Sequence, residues 1–143
     1  ILYSEVERIE DYSLQFDQKL NLTTEILDKN GLIGDNSEVI LENEQNLQLR
    51  SDLFDKDALI LRSIKSKKVD LHSKTEGAIL GVEFEDFKDL GIWAKPNASY
   101  VCIEPWLGYT DLADSNKDFK EKAGNEVLNA NDDFEASYQI RIY

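Results

Sequence analysis

The chain has 143 residues, 41% of them hydrophobic and 10% aromatic, which is enough for a domain of ordinary size with a real core and excludes an intrinsically disordered protein. Its formal charge of −13 would repel phosphates and argues against nucleic-acid binding. No apolar stretch approaches the roughly 20 residues that a bilayer-spanning helix needs, so no membrane partner is expected.

In chain order, the start, "ILYSEVERIEDY", has no basic-then-apolar leader pattern. Ile1 in place of an initiator methionine points to a piece or processed product of something longer. "DYSLQFD" then alternates, with Tyr12, Leu14 and Phe16 on one side, the pattern of a half-buried strand. "LTTEILDKNG" reads equally as a strand or as a short helix ending at Gly31. Turns are expected at "DKNG" (28–31), "GDNS" (34–37), "KTEG" (74–77) and "NANDD" (129–133). "SDLFDKDA" could form a turn of helix capped by Ser51 or Asp52. "ALILR", "AILGVEF" and "LGIWA" are apolar runs suited to deeply buried strands, and "KKVDLHS" turns Val69 and Leu71 inward with Asp70 and His72 outward. The last stretch, "FEASYQIRIY", sets Phe134, Ala136, Tyr138, Ile140 and Ile142 on one face of a strand. Strands recurring at about ten-residue intervals imply a single antiparallel β-unit over 1–143, a sandwich or barrel.

The run from Ile92 to Trp106 concentrates both tryptophans, both prolines and the sole cysteine around one acid, Glu104. On a strand, Tyr100, Cys102 and Glu104 share a side opposite Val101 and Ile103, and Pro105 places the acid at a strand end or sheet edge. Partial desolvation there would raise the pKa of Glu104 toward that of a general base. The residues alone leave open whether it is that or a hydrogen-bonded structural acid. Trp93 and Trp106 bracket it and suit either core packing or stacking on a sugar ring, whose C–H face is apolar.

Other chemistry finds little support. His72 is the one histidine and falls on the polar side of its strand, so a zinc site or a Ser–His–Asp set is not expected. Cys102 lacks a basic neighbour and reads as an inert buried thiol; a single cysteine also favours a reducing compartment, the cytoplasm. "DLADSNKDF", with Asp111, Asp114, Asn116 and Asp118, is calcium-like in composition but lacks the glycine and terminal glutamate at loop spacing, so it reads as a solvated loop. "KSKK" at Lys65–Lys68 reads as a solvated strand end or turn, with an anion or sugar-phosphate contact as the other reading. "NLT" at Asn21 and "NAS" at Asn97 match the glycosylation pattern, which is short enough to arise by chance.

"FDKDALI", "LGIWAKP", "YVCIEPWLGYTD", "DFKEKAG" and "DDFEASYQIRI" occur in this order, and together they resemble the aldose 1-epimerase (galactose mutarotase)-like family from about Asp11 to Tyr143. The resemblance implies a mainly β fold, an antiparallel β-supersandwich of which this chain looks like the C-terminal half. It implies interconversion of the α and β anomers of a hexose or hexose phosphate, with no metal or organic cofactor. Glu104 falls where the family places its general base, and Asp57 matches a position that hydrogen-bonds sugar hydroxyls. The family's acid histidine would lie before Ile1, in a missing N-terminal half; His72, after "KKVDL", matches no catalytic position. Without that half the site would lack its acid. A non-catalytic sugar-binding sandwich using Asp57, Trp93 and Trp106 is the alternative.

Overall fold

The computed structural model describes residues 7–96 and 98–143; Ile1 to Val6 and the Asn97 sequon position lie outside the described residues. Among the described residues eight strands, all paired antiparallel, form two sheets: β1 (Tyr12–Leu27), β2 (Ile33–Gln48), β3 (Leu59–Leu61), β4 (Lys68–Ser73), β5 (Gly77–Glu83), β6 (Asp89–Trp93), β7 (Cys102–Trp106) and β8 (Gln139–Ile142). The larger sheet runs β2-β1-β4-β5-β8 and the smaller β3-β6-β7. Among the described residues there is no α-helix, only short 3-10 turns at Ile9–Asp11 and Phe119–Glu121.

The two-residue alternation accounts for the larger sheet's inner face. Tyr12, Leu14 and Phe16 on β1 and Val69 and Leu71 on β4 are buried, while the residues between them are only partly covered. They join Leu59, Leu61, Leu90 and Ile92 from the smaller sheet in one apolar cluster, completed by Phe84 and Val101. Both layers therefore close over a shared core.

"LTTEILDKNG" is strand rather than helix, the second half of β1, and it turns at Asp28–Leu32. There the Asp28 carboxylate accepts the amides of Asn30 (2.7 Å) and Leu32 (3.0 Å), and Gly31 takes φ +77°, a left-handed conformation that a side chain disfavours. These hydrogen bonds, that from Leu32 first, hold Asp28 below the usual carboxylate range.

Three expectations give way. "GDNS" at 34–37 is not a turn but lies within β2, because β1 and β2, each 16 residues long, form one hairpin whose register shifts absorb the extra polar residues. "SDLFDKDA" is a run of turns, not a helix. The C-terminal alternation is real over Gln139–Ile142, but its apolar side is exposed: Ile140 is 58% and Ile142 82% accessible. β8 is the edge of the larger sheet, and among the described residues no second layer covers that side. Periodicity reports a face, not whether anything packs on it.

Candidate functional site

β7 is the edge strand of the smaller sheet, and its register with β6 builds one wall. Trp93 pairs with Cys102, Gly91 with Glu104 and Asp89 with Trp106, so these side chains share a face. Ile60 on β3 pairs with Gly91 and extends it. The opposite face carries Leu59, Leu61, Leu90 and Ile92 into the core. Glu104 is thus fixed by a strand whose back is anchored in apolar packing, and Pro105 sits at the sheet edge, where its missing N–H costs no ladder bond.

This wall bounds a cavity of about 410 Å³, within the range of small-molecule sites. Its lining brings together Asp57, Trp93, Glu104 and Trp106, all four of the sequence-derived candidates. Glu104, Trp93 and Trp106 are half-buried, and Asp57 is exposed at the mouth. Trp106 Nε1–H donates to Glu104 Oε2 at 3.0 Å. The Trp93 ring leans on Tyr100, with centroids 6.2 Å apart and planes at 58°. Asp57 adopts φ +99°, uncommon for a residue with a β-carbon, and its carboxylate accepts the Ala58 amide at 2.7 Å.

Sequence reasoning gave no role to the remaining wall, formed by the loop after β7. Tyr109 lines the cavity beside Gly108 and Thr110. The Tyr109 hydroxyl accepts from Arg62 Nη1 at 3.4 Å, and the guanidinium lies 5.4 Å from the ring centroid. Arg62 is also paired with Glu25 at 2.6 Å. The Tyr109 contact first, then Glu25, pushes the pKa of Arg62 upward, so it is a permanent cation. The loop is tied to the β1–β2 turn: Thr110 Oγ1 donates to the Gly31 carbonyl at 2.9 Å, and the Ile33 amide donates to Asp111 at 2.9 Å. The signal for this wall was the glycine of "LGYT", since Gly108 at φ +94° makes the sharp exit from β7.

Cys102, on the Glu104 side of β7, is half-buried; burial, followed by the neighbouring Glu104 charge, pushes its thiol up and away from nucleophilic use. His72 lies on β4 of the other sheet, between Ser13 and Ala78, and does not line the cavity. Two lysines of the cluster are engaged away from the cavity, where Lys67 donates to the Phe87 carbonyl and Lys68 pairs with Asp70 at 2.9 Å, and none of the three lines it. In the acidic loop, the Asp118 side chain accepts the Lys120 amide and Asn116 donates to Glu121. Among the described residues no group of three or more His, Cys, Asp or Glu side chains is placed to hold a metal. None of the described helices is long and apolar enough to cross a membrane.

An antiparallel two-sheet protein with two carboxylates and two indoles around one cavity is the class that fold and site define. Comparison with solved structures gives that class a name: the fold is galactose mutarotase-like. The chain superimposes on the galactose mutarotase related enzyme of Lactobacillus acidophilus with a TM-score of 0.86 and 26% identity, covering 99% of this chain and 48% of that one. It superimposes on a galactose mutarotase-like protein of Lactobacillus casei ATCC 334 with a TM-score of 0.73 and 25% identity, covering 92% and 44%. In sequence it is 32% identical over 141 residues to protein LacX of Lactococcus lactis subsp. lactis, in both its plasmid and chromosomal forms. That match takes in 96% of this chain, which spans about half the length of these curated relatives, 47%. No family model matches the chain.

Proposed function

We propose that this chain supplies the base side of an aldose 1-epimerase site, in a protein that interconverts the α and β anomers of a hexose. The observation that carries the reading is the convergence of Glu104, Asp57, Trp93 and Trp106 on one cavity within a galactose mutarotase-like fold. Glu104 takes the proton of the anomeric hydroxyl while an acid protonates the ring oxygen. The C1–ring oxygen bond breaks to give the open aldehyde, the C1–C2 bond rotates, and the ring recloses on the other face with both proton transfers reversed. Protons balance, and no electron acceptor is consumed. The Trp93 and Trp106 indoles suit the C–H face of the sugar, and Asp57 at the mouth suits its hydroxyls.

The acid comes from outside this segment. No histidine lines the cavity among the described residues, and His72 is in the other sheet. The reading therefore joins this segment to a missing N-terminal half that carries an acid histidine. The lining contributed here also contains two carboxylates and no lysine or arginine, so a phosphorylated sugar would gain nothing from this wall and a neutral hexose is the better fit.

Anomerisation by the complete polypeptide, followed by polarimetry with Glu104→Gln alongside, tests the proposal. The variant is expected to lose about 10²–10⁴-fold in rate, the contribution of a positioned base. An unchanged rate removes Glu104 from the reaction. Sugar-dependent tryptophan fluorescence without turnover in the unaltered protein would favour the alternative, a carbohydrate-binding sandwich.

A further inference from the structure

Gly91 and Glu104 are register partners on β6 and β7, and Trp106 lies two residues beyond Glu104 on the same face. The space above Gly91 is already taken. A β-carbon built there would stand 2.3 Å from Trp106 Cζ2, 2.5 Å from Cε2 and 2.9 Å from Cη2. Those atoms form the part of the indole next to Nε1, the atom that donates to Glu104 Oε2 at 3.0 Å. Gly91 is itself buried between Ile60 and Glu104 in the centre of the smaller sheet, so the strand has little room to retreat. A contact below 3.0 Å cannot persist, and the indole is the partner that would have to move.

We infer that Gly91 and Trp106 form a positioning pair for Glu104: the absent side chain at 91 lets the indole lie across β6, and from there its N–H fixes the carboxylate in the cavity wall. This gives Trp106 a role beyond stacking on substrate. The inference rests on the reading of Glu104 as the proton acceptor only for its effect on rate; the pairing itself is a matter of structure. A hydrogen bond to a charged group orients it far more firmly than a neutral one, and a base held within hydrogen-bond reach of its proton is what acid–base chemistry requires.

The test uses the complete polypeptide with Gly91→Ala, Trp106→Phe, the double variant and Glu104→Gln. The first readout is the indole N–H resonance of Trp106 in ¹H–¹⁵N NMR, with that of Trp93 as internal control. Gly91→Ala is expected to shift the Trp106 signal and leave Trp93 nearly in place. An unshifted Trp106 resonance overturns the pairing whatever the activity. The second readout is kinetic. Each single variant is expected to lower kcat about tenfold with little change in KM, the effect of one hydrogen bond to a charged group, and the double variant to fall no more than about twofold below Trp106→Phe. Fully multiplicative losses in the double variant also overturn it, because they would mean that Gly91 acts without the indole. Should Gly91→Ala fail to fold, Trp106→Phe alone decides: a raised KM with unchanged kcat makes the indole a sugar contact and sinks the positioning role. Activity retained in Glu104→Gln defeats the catalytic reading separately, while the NMR result still judges the pair.

Discussion

The Arg62 guanidinium stands 5.4 Å from the centre of the Tyr109 ring and reaches its hydroxyl at 3.4 Å, so a cation on the strand side clamps a loop residue that walls the cavity. A β-carbon at Gly124 would meet the same ring at 2.8 Å, and Lys122 Nζ donates to the Tyr109 carbonyl. Tyr109 is therefore held from three directions. Arg62→Ala is expected to cost about 1 kcal/mol of stability, as a lost partly exposed cation–π contact and ion pair. It should also raise KM more than it lowers kcat, because the wall loosens while Glu104 stays in place. Urea unfolding together with steady-state kinetics checks both halves.

Asp57 holds φ +99° with a β-carbon in a region that glycine occupies without strain. Asp57→Gly and Asp57→Ala both lose the carboxylate and its bond to the Ala58 amide, yet only glycine relaxes the backbone. The glycine variant is expected to be about 1 kcal/mol more stable than the alanine variant, with sugar binding lost equally in both. Thermal unfolding and tryptophan fluorescence titration measure the two effects. Equal stabilities would show that the conformation carries no strain.

Phe84 is fully buried between the two layers, beside Leu90 and Val101 in the shared cluster. Phe84→Ala is expected to remove about 3–5 kcal/mol, a large share of the stability of a domain this size. Chemical denaturation reads the loss directly.

Glu7 accepts hydrogen bonds from Thr75 Oγ1 at 2.6 Å, Tyr12 Oη at 2.5 Å and Ser73 Oγ at 2.7 Å, and these hold it below the ordinary carboxylate range, Thr75 contributing most. A depressed pKa stabilises the fold above the unfolded-state pKa and ceases to do so as pH falls through the lower folded-state pKa. The stability gap between the parent and Glu7→Gln should accordingly be constant near neutrality and shrink as pH drops below the usual range of glutamate. Melting temperatures from pH 7 down to pH 3 follow it; a gap that widens on acidification would reverse the sign and refute the assignment.

Cys102 is pushed up first by burial and then by the charge of Glu104. Alkylation near pH 8 should be slow in the parent and faster in Glu104→Gln, where one of those causes is gone and more thiolate forms. Mass spectrometry after timed iodoacetamide treatment gives the two rates. Identical rates would mean that burial alone governs the thiol.

Much of the architecture was written locally. The alternation of Tyr12, Leu14 and Phe16, and of Val69 and Leu71, specified inward faces that the structure buries. Where the pattern misled, tertiary context was the reason. "GDNS" carries strong turn residues, but pairing with β1 holds it in a long hairpin, and cooperative ladder bonds outweigh local preference. The alternation from Phe134 to Ile142 was legible; that only Gln139–Ile142 pairs as a strand, and that its apolar side faces no second layer among the described residues, was not, since a segment cannot encode what packs on it.

The site divides in the same way. Rare residues gathered around Glu104 marked Trp93, Glu104 and Trp106, because residue types and their spacing are properties of sequence, while Asp57 entered through the resemblance to the mutarotase-like family. Only the folded sheets decided that Asp57, 47 positions before Glu104, shares its cavity, that Tyr109 closes the far wall, and that the empty side of Gly91 is where an indole must lie. Those relationships depend on strand register and on which loop folds back over which hairpin, and register is set by the sum of contacts across a sheet rather than by any one segment.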